Sequence, residues 1–269
     1  MYEQISLTHL CPTRIAIGIE YNGQHFSGWQ TQETVASIQG SLEKALSHIA
    51  DEPIKLFCAG RTDAGVHATG QVAHFDTGAV RDMRAWTMGT NALLPPDIAV
   101  CWAQIVDTDF HARYSALARH YRYIIYNYPA RPAILAGRVA WHYAALDTAA
   151  MQEAGNYLIG EHDFSAFRSA QCESKTPMRH LQSLHVLRSN DYIIIEVSAN
   201  AFLHHMVRNI VGVLLAVGSN AKNPAWVKSV LASKDRRQAA VTADAAGLYL
   251  VKVDYPDLYA FPERKAVFL

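Results

Sequence analysis

Apolar and polar residues alternate at several places along the chain, and this pattern predicts half-buried β-strands. The clearest alternation puts Ile15, Ile17 and Ile19 on one strand face near the N-terminus. Further strands are predicted at residues 54–58, 71–75, 121–128, 184–188, 192–197 and 248–255. The sequence Ser-Asn-Asp at residues 189–191 favours a turn, so the strands on either side of it are expected to form a hairpin.

Helical periodicity occurs between these strands. Ser37 can cap a helix whose apolar residues share one face: Ile38, Leu42, Leu46 and Ile49. Asn223 and Pro224 predict the cap and the first residue of another helix, and residues 204–217 predict a longer, mostly buried helix. This mixture of strands and helices predicts an α+β fold with a largely antiparallel sheet, not a doubly wound nucleotide-binding fold.

The peptide at residues 59–67 carries the most informative chemistry, and it reads Ala-Gly-Arg-Thr-Asp-Ala-Gly-Val-His. Its glycines permit a tight loop between two strands and close approach of the backbone to a ligand. Asp63 is the only acid of the loop, so its carboxylate could serve as a nucleophile or general base. The same residues also suit an ordinary hairpin, in which aspartate accepts backbone hydrogen bonds. Spacing alone leaves both interpretations open.

The composition bounds the class of protein. The chain has 269 residues, half of them hydrophobic, which allows a large core in one large domain or two small ones. No apolar run reaches membrane-spanning length, and the N-terminus lacks a basic segment followed by an apolar one. We therefore expect a cytoplasmic protein without membrane attachment. The cysteines are far apart, which favours free thiols: Cys11, Cys58, Cys101 and Cys172.

Charges are unevenly distributed, although the formal net charge is zero. Residues 111–146 and 197–234 contain no Asp or Glu. Their arginines and lysines are Arg113, Arg119, Arg122, Arg131, Arg138, Arg208, Lys222, Lys228 and Lys234. Such segregation can produce a basic face that contacts phosphates, and Arg113, Arg119 and Lys175 are candidates for those contacts.

Residues 60–67, Gly-Arg-Thr-Asp-Ala-Gly-Val-His, resemble the signature of the TruA family of tRNA pseudouridine synthases. Further motifs follow in the family's order at residues 21–23 with 28–30, 110–113, 121–123, 206–212 and 247–250. The resemblance spans residues 14 to 255. It implies a pseudouridine synthase fold, in which two related α/β halves (residues 14–128 and 147–255, linked by 129–146) join their sheets around a central cleft.

The resemblance also implies an activity. It predicts a tRNA-uridine isomerase that makes pseudouridine at positions 38, 39 and 40 of the anticodon stem-loop and acts as a cytoplasmic homodimer. The reaction breaks the N1–C1′ bond and joins C5 to C1′, so it needs no redox step, phosphoryl transfer or cofactor. An ionised aspartate could attack C1′, attack C6, or remove the 2′ proton, and the sequence does not separate these routes.

The family's active-site positions map onto residues of this chain. By resemblance, Asp63 is the nucleophile, Tyr121 stacks on the target base or moves a proton, and Arg208 pairs with Asp63. Arg61 would fill the gap left by the extruded base, and Leu248 would form the apolar floor of the base pocket. Four of these residues have a structural alternative. Tyr121 could be a core tyrosine, and Arg208 could face solvent or a phosphate. Arg61 could form a loop salt bridge, and Leu248 could be a core leucine.

This chain departs from the usual family pattern at three positions. Thr31 and His204 stand where many relatives carry a basic residue, and Ala68 replaces a frequent glycine. Threonine and histidine carry less positive charge at neutral pH, which lowers the charge available for RNA binding but leaves the chemistry unchanged.

Metal ions and nucleotide cofactors are not expected. His204 and His205 are adjacent among thirteen histidines, and on a helix they would point to different sides. No HxxxH with a nearby acid, and no GxxxxGK[ST] or GxGxxG motif, is present.

Two other classes of function are open from the residues alone. A non-catalytic RNA-binding protein would bind tRNA tightly and be indifferent to Asp63→Asn. A phosphatase or retaining glycosidase would also use an aspartate nucleophile. However, Gly65 stands where a DxD phosphatase needs its second aspartate, and the loop lacks the second carboxyl of a glycosidase.

Overall fold

A ten-stranded mixed sheet forms the centre of the computed structural model, which describes residues 12–262. The strands are β1 (Thr13–Tyr21), β2 (Phe57–Cys58), β3 (His67–Thr77), β4 (Ile98–Val106), β5 (Ala118–Tyr126), β6 (Ala140–Trp141), β7 (Gly160–Asp163), β8 (Met178–Ser189), β9 (Tyr192–Ala199) and β10 (Leu248–Asp254). The α-helices are α1 (Ile38–Ala50), α2 (Thr90–Leu93), α3 (Thr148–Asn156), α4 (Met206–Gly218) and α5 (Trp226–Ser233). A π-helical segment, Ala85–Gly89, precedes α2.

The strand order is β4-β1-β3-β10-β5-β9-β8-β7, with β2 paired to β3 and β6 paired to β5. Among the described residues, only the β3–β10 and β5–β6 pairs are parallel. The predicted α+β fold with a largely antiparallel sheet is therefore confirmed. No helix within residues 12–262 is both long and apolar enough to cross a membrane.

Several local predictions are confirmed by the elements observed. The Ser37 side chain accepts a hydrogen bond from Gly40 N at 3.2 Å, which caps α1 as predicted. The β8–β9 hairpin turns at residues 190–191, where Asn190 adopts a left-handed φ of +51°. The helix predicted to begin at Pro224 with Asn223 as its cap instead begins at Trp226 with Ala225 as its cap, although Asn223 does accept a hydrogen bond from Trp226 N.

Two further elements begin later in the chain than the sequence predicts. Of the strand predicted at residues 54–58, only β2 pairs with the sheet. The amides of Ile54 and Leu56 donate instead to the side chains of Ser47 and Glu43, both on α1, which leaves no strand hydrogen bond at these positions. The helix predicted from residue 204 begins at Met206.

Cys58, Cys101 and Cys172 form no disulfide, and Cys11 lies outside the described residues.

β10 connects the strand groups β4-β1-β3 and β5-β9-β8-β7. It runs parallel to β3 on one side and antiparallel to β5 on the other. Gly70 permits the close approach of β3 to β10, because a Cβ atom at this position would lie 2.2 Å from the carbonyl oxygen of Val251. The division of the chain into two halves, residues 14–128 and 147–255, stays a prediction. In the sheet, β5 of the first half lies between β10 and β9 of the second half.

Gly70→Ala should lower the free energy of unfolding by about 3 kcal/mol, because the added methyl group collides with the backbone of β10. Urea unfolding would measure the change. Gly78→Ala is the matched control, since its Cβ would lie 3.7 Å from Glu52 Oε2, an ordinary contact. Its effect should stay within about 0.5 kcal/mol. Equal effects of the two substitutions would contradict the importance of the close approach.

Candidate active site

Asp63 lies in the loop that connects β2 to β3, and backbone hydrogen bonds hold this loop against residues 26–29. Trp29 N donates to Thr62 O at 3.0 Å, and Gly65 N donates to Phe26 O at 3.3 Å. These bonds fix the backbone immediately before and after Asp63. The loop is therefore rigidly placed although it has no secondary structure at this residue.

Gly28 is required for that contact. Its φ is +95°, a value that favours glycine, and a Cβ atom there would lie 2.8 Å from Thr62 O. This geometry gives a physical reason for the Gly-Trp-Gln motif at residues 28–30 on which part of the family resemblance rests.

Buried polar side chains hold the same loop from beneath. Tyr21 Oη and Thr62 Oγ1 are 2.8 Å apart and share a hydrogen bond, and Gln71 Nε2 donates to Gly60 O at 2.7 Å. All three side chains are buried. Burial also raises the pKa of Tyr21, so its hydroxyl stays protonated. Because buried polar groups are costly without partners, this network favours one loop conformation.

Three cationic or potentially cationic side chains surround the Asp63 carboxylate. Arg208 Nη1 lies 3.1 Å from Oδ2, His204 Nε2 lies 3.2 Å from Oδ1, and His205 Nε2 lies 3.3 Å from Oδ2. The Asp63 side chain is 18% exposed. The carboxylate therefore accepts a hydrogen bond from Arg208, lies close to both imidazoles and is still partly exposed.

The two histidines converge because neither lies in α4. The helix begins at Met206, and His205 adopts a left-handed φ of +63°, which brings its ring to 4.1 Å from the ring of His204. The expectation that they point to different sides of a helix is wrong for this reason. The sequence shows only two histidines directly before an apolar helix, and this pattern does not reveal the left-handed backbone at His205.

Arg208 lies in the first turn of α4, a helix that is otherwise largely apolar and buried. Its Nε donates to Ala243 O at 2.8 Å, and Ala243 N donates to Arg208 O at 3.1 Å. The first bond orients the guanidinium toward Asp63, and the second ties the backbone of Ala243 to that of Arg208. The predicted pairing of Arg208 with Asp63 is present, and its role in catalysis stays a prediction.

Tyr121 lies on β5 with its ring edge against Phe202, at a centroid distance of 5.0 Å. A Cβ atom at Gly60 would lie 3.8 Å from its hydroxyl oxygen, so this hydroxyl faces the Asp63 loop. Burial raises the pKa of Tyr121, and the negative charge of Asp63 raises it further. The hydroxyl is therefore protonated at neutral pH. Sequence reasoning missed Phe202, which supports the tyrosine ring.

The other two predicted site residues are Arg61 and Leu248. Arg61 is 58% exposed, and its Nη1 lies 3.5 Å from Oε2 of Glu173, itself 87% exposed. Such an exposed ion pair contributes little stability. Leu248 is buried at the start of β10, opposite Tyr123 on β5. Both assigned roles stay predictions.

Some of the basic residues expected on a phosphate-binding face have partners within the protein. Arg122 pairs with Glu196, and Lys234 pairs with Asp163. Arg119 is buried, and its guanidinium donates to the backbone carbonyl oxygens of Ala59, Arg113, Ala116 and Asn200. The prediction that Arg119 contacts phosphate is wrong, because its guanidinium is used inside the fold.

A partly exposed loop carboxylate, fixed by buried polar groups and faced by an arginine and a tyrosine, suits the active site of an α+β enzyme. The family model described as tRNA pseudouridine synthase matches residues 17–115 and 154–256. The chain therefore belongs to the tRNA pseudouridine synthase family, and the prediction of a pseudouridine synthase is confirmed.

Curated relatives are similar along nearly their whole length. The tRNA pseudouridine synthase A of Histophilus somni (strain 129Pt) is 57% identical over 251 residues, covering 93% of each chain. That of Vibrio cholerae (strain ATCC 39541) is 57% identical over 250 residues, covering 93% of this chain and 95% of the relative. That of Coxiella burnetii (strain Dugway 5J108-111) is 55% identical over 249 residues, with the same coverage.

Among solved structures, the archaeal box H/ACA sRNP Nop10-Cbf5 complex contains a chain with a TM-score of 0.36 and 10% identity. The match covers 75% of this chain and 44% of that one. A chain of a Cbf5-Nop10-Gar1 complex gives a TM-score of 0.35 and 12% identity. Similarity at this level supports no conclusion about this chain.

His67 ends the signature peptide and closes the loop on its far side. Its Nδ1 accepts a hydrogen bond from Gly23 N at 3.1 Å, and its ring stacks on Tyr249 at 4.6 Å. Burial lowers the pKa of His67 to about 4. The neutral ring is therefore the form that the folded protein holds at neutral pH.

The stability of the protein should fall as the pH decreases from about 6.5 toward 4, because the unfolded chain takes up a proton that folded His67 does not. Between pH 7 and 5 this group alone should cost roughly 2 kcal/mol. Urea unfolding of His67→Gln at pH 7 and pH 5 should show a loss of unfolding free energy that is smaller by this amount. The glutamine amide oxygen can still accept a hydrogen bond from Gly23 N. Equal losses in the two proteins would contradict the lowered pKa.

Proposed function

We propose that the chain converts uridine to pseudouridine at positions 38, 39 and 40 in the anticodon stem-loop of tRNA, with Asp63 as the nucleophile and without a cofactor. The observation that carries the proposal is the Asp63 carboxylate in contact with Arg208, beside a buried tyrosine, in a member of this family. The curated relatives named tRNA pseudouridine synthase A support tRNA as the substrate.

Asp63 starts the reaction from its partly exposed carboxylate. It forms a bond to C1′ or C6 of the target nucleotide, or it removes the 2′ proton, and each route releases N1 from C1′. The uracil then turns, C5 bonds to C1′, and the C5 proton leaves. Arg208 orients the carboxylate through a charge-assisted hydrogen bond and leaves the substrate itself untouched.

Tyr121 acts as a neutral group, because burial and Asp63 both raise its pKa. Its ring provides a platform on which the target base stacks, and its hydroxyl donates a hydrogen bond. Phe202 packs against the ring and restricts its orientation. Leu248 contributes to the apolar floor of the base pocket.

RNA binding uses the basic residues that project from the surface. Arg113, Arg131, Arg138 and Lys175 are exposed and suit contacts with phosphates. Arg61 leaves its exposed ion pair with Glu173 and occupies the space that the extruded base vacates. The enzyme acts as a homodimer in the cytoplasm, with tRNA contacting both subunits.

Mapping pseudouridine in tRNA tests the proposed positions. Transcripts with a single uridine at position 38, 39 or 40 should each be modified, and a transcript with none in this arm should not. Carbodiimide treatment followed by primer extension reveals each pseudouridine as a stop. Stops confined to another arm of the tRNA would overturn the assignment to the anticodon stem-loop.

Arg208→Gln should lower kcat roughly 10- to 100-fold and change KM little, because the lost hydrogen bond joins Arg208 to the catalytic carboxylate and not to tRNA. Steady-state kinetics with tRNA separate the two parameters. Arg81→Gln, which removes an exposed arginine bonded to Ile49 O, is the control and should keep kcat. A rise in KM alone would assign Arg208 to phosphate binding instead.

A further inference from the structure

The side chains around Asp63 have the geometry of a metal site as well as that of an ion-pair cluster. One ligand atom from each of Asp63, His204 and His205 can be chosen so that all three lie within 4.8 Å of one another. The His204 Nε2–Oδ1 and His205 Nε2–Oδ2 distances are 3.2 and 3.3 Å. Ligands bound at about 2.0–2.1 Å to a tetrahedral ion are separated by about 3.3 Å, so both nitrogen–oxygen distances already fit, and the set as a whole contracts from within 4.8 Å when an ion binds.

The backbone directs both imidazoles to the same acid. His205 holds a left-handed φ, uncommon for a non-glycine residue, and this conformation brings the two adjacent rings together. Both imidazoles are partly exposed, at 35% and 29%, so an ion can reach them from solvent. Neither histidine has a part in the isomerisation described above.

The donor set selects the kind of ion. Two imidazoles and one carboxylate suit zinc and related transition metals, and three protein ligands leave a coordination position for water. Magnesium and calcium prefer oxygen ligands, which this cluster does not supply in sufficient number. Arg208 at Oδ2 places a positive charge beside the ion and weakens its binding.

We propose that Asp63, His204 and His205 bind one divalent transition-metal ion of the zinc class, and that this ion inhibits the enzyme. The bound ion occupies the carboxylate oxygen and the space that the target nucleotide needs, so isomerisation requires its release. The binding stands on the geometry alone, whereas the inhibition rests on the proposed function of Asp63.

Cobalt(II) is the probe for binding, because its visible d–d absorption reports coordination directly. Untagged wild-type protein, without tRNA, should bind one Co²⁺ with a spectrum that Zn²⁺ abolishes and Mg²⁺ does not. Asp63→Asn and the double variant His204→Gln, His205→Asn should each bind at least roughly 10-fold more weakly. Asparagine is chosen at position 205 because it tolerates a left-handed φ.

Two comparisons keep the result independent of folding defects. His185→Gln removes an exposed histidine of β8 and should leave binding unchanged. Arg208→Gln should bind Co²⁺ more tightly, a gain that a damaged fold would not produce. Unchanged binding in the double variant, or no d–d absorption in the wild type, would overturn the proposed site.

Activity measurements separate metal binding from inhibition of the enzyme. Zn²⁺ should inhibit pseudouridine formation by the wild type, EDTA should restore it, and His204→Gln should need a higher Zn²⁺ concentration for the same inhibition. Metal binding without inhibition would overturn the inhibitory role. If Co²⁺ binds as described but Asp63→Asn still forms pseudouridine, the proposed role of Asp63 as the nucleophile fails and the metal site stands.

Discussion

The ion pair between Asp63 and Arg208 is the interaction on which the site depends, and it joins residues 145 positions apart in the chain. Taking a charged group out of water is costly unless it is paired, so each residue stabilises the other in its partly buried place. The pair forms only when the loop after β2 and the first turn of α4 are brought together. The parallel contact between β3 and β10 provides this arrangement, because it unites the early and late strands in one sheet.

Rigidity in the Asp63 loop comes from groups packed beneath and beside it. Tyr21, Thr62 and Gln71 form a buried polar network under it, and Gly28 allows the backbone at residues 26–29 to approach it closely. On the opposite side, Ala243 fixes the guanidinium of Arg208. In the proposed reaction, a carboxylate held in this way needs little reorganisation before it reacts, and such positioning is a main source of catalytic rate in enzymes.

The sequence predicted much of the fold because local patterns determine it. Alternating isoleucines predicted β1, and Ser37 with its apolar face predicted α1. The strand at residues 54–58 was overestimated, because α1 side chains take its backbone hydrogen bonds and no local pattern reveals that. The contact of Asp63 with Arg208 could be anticipated only through family resemblance, since spacing does not show which distant residues meet.

The convergence of His204 and His205 could not be predicted, because a left-handed φ at a histidine has no clear sequence signature. Charge segregation was also misleading on its own. Arg122 and Lys234 come from segments without acids, yet acids from other segments pair with them in the fold. Net charge along a sequence describes a surface only after such pairs are known.

The most direct test of the account measures tritium release from tRNA that carries 5-tritiated uridine. The C5 hydrogen must leave when C5 becomes the glycosidic carbon, so its release reports the isomerisation itself. We expect release by the wild type and none by Asp63→Asn, while both proteins bind tRNA with the same Kd. Release by the variant at a comparable rate would contradict the role of Asp63, and binding without release by either protein would indicate a non-catalytic RNA-binding protein.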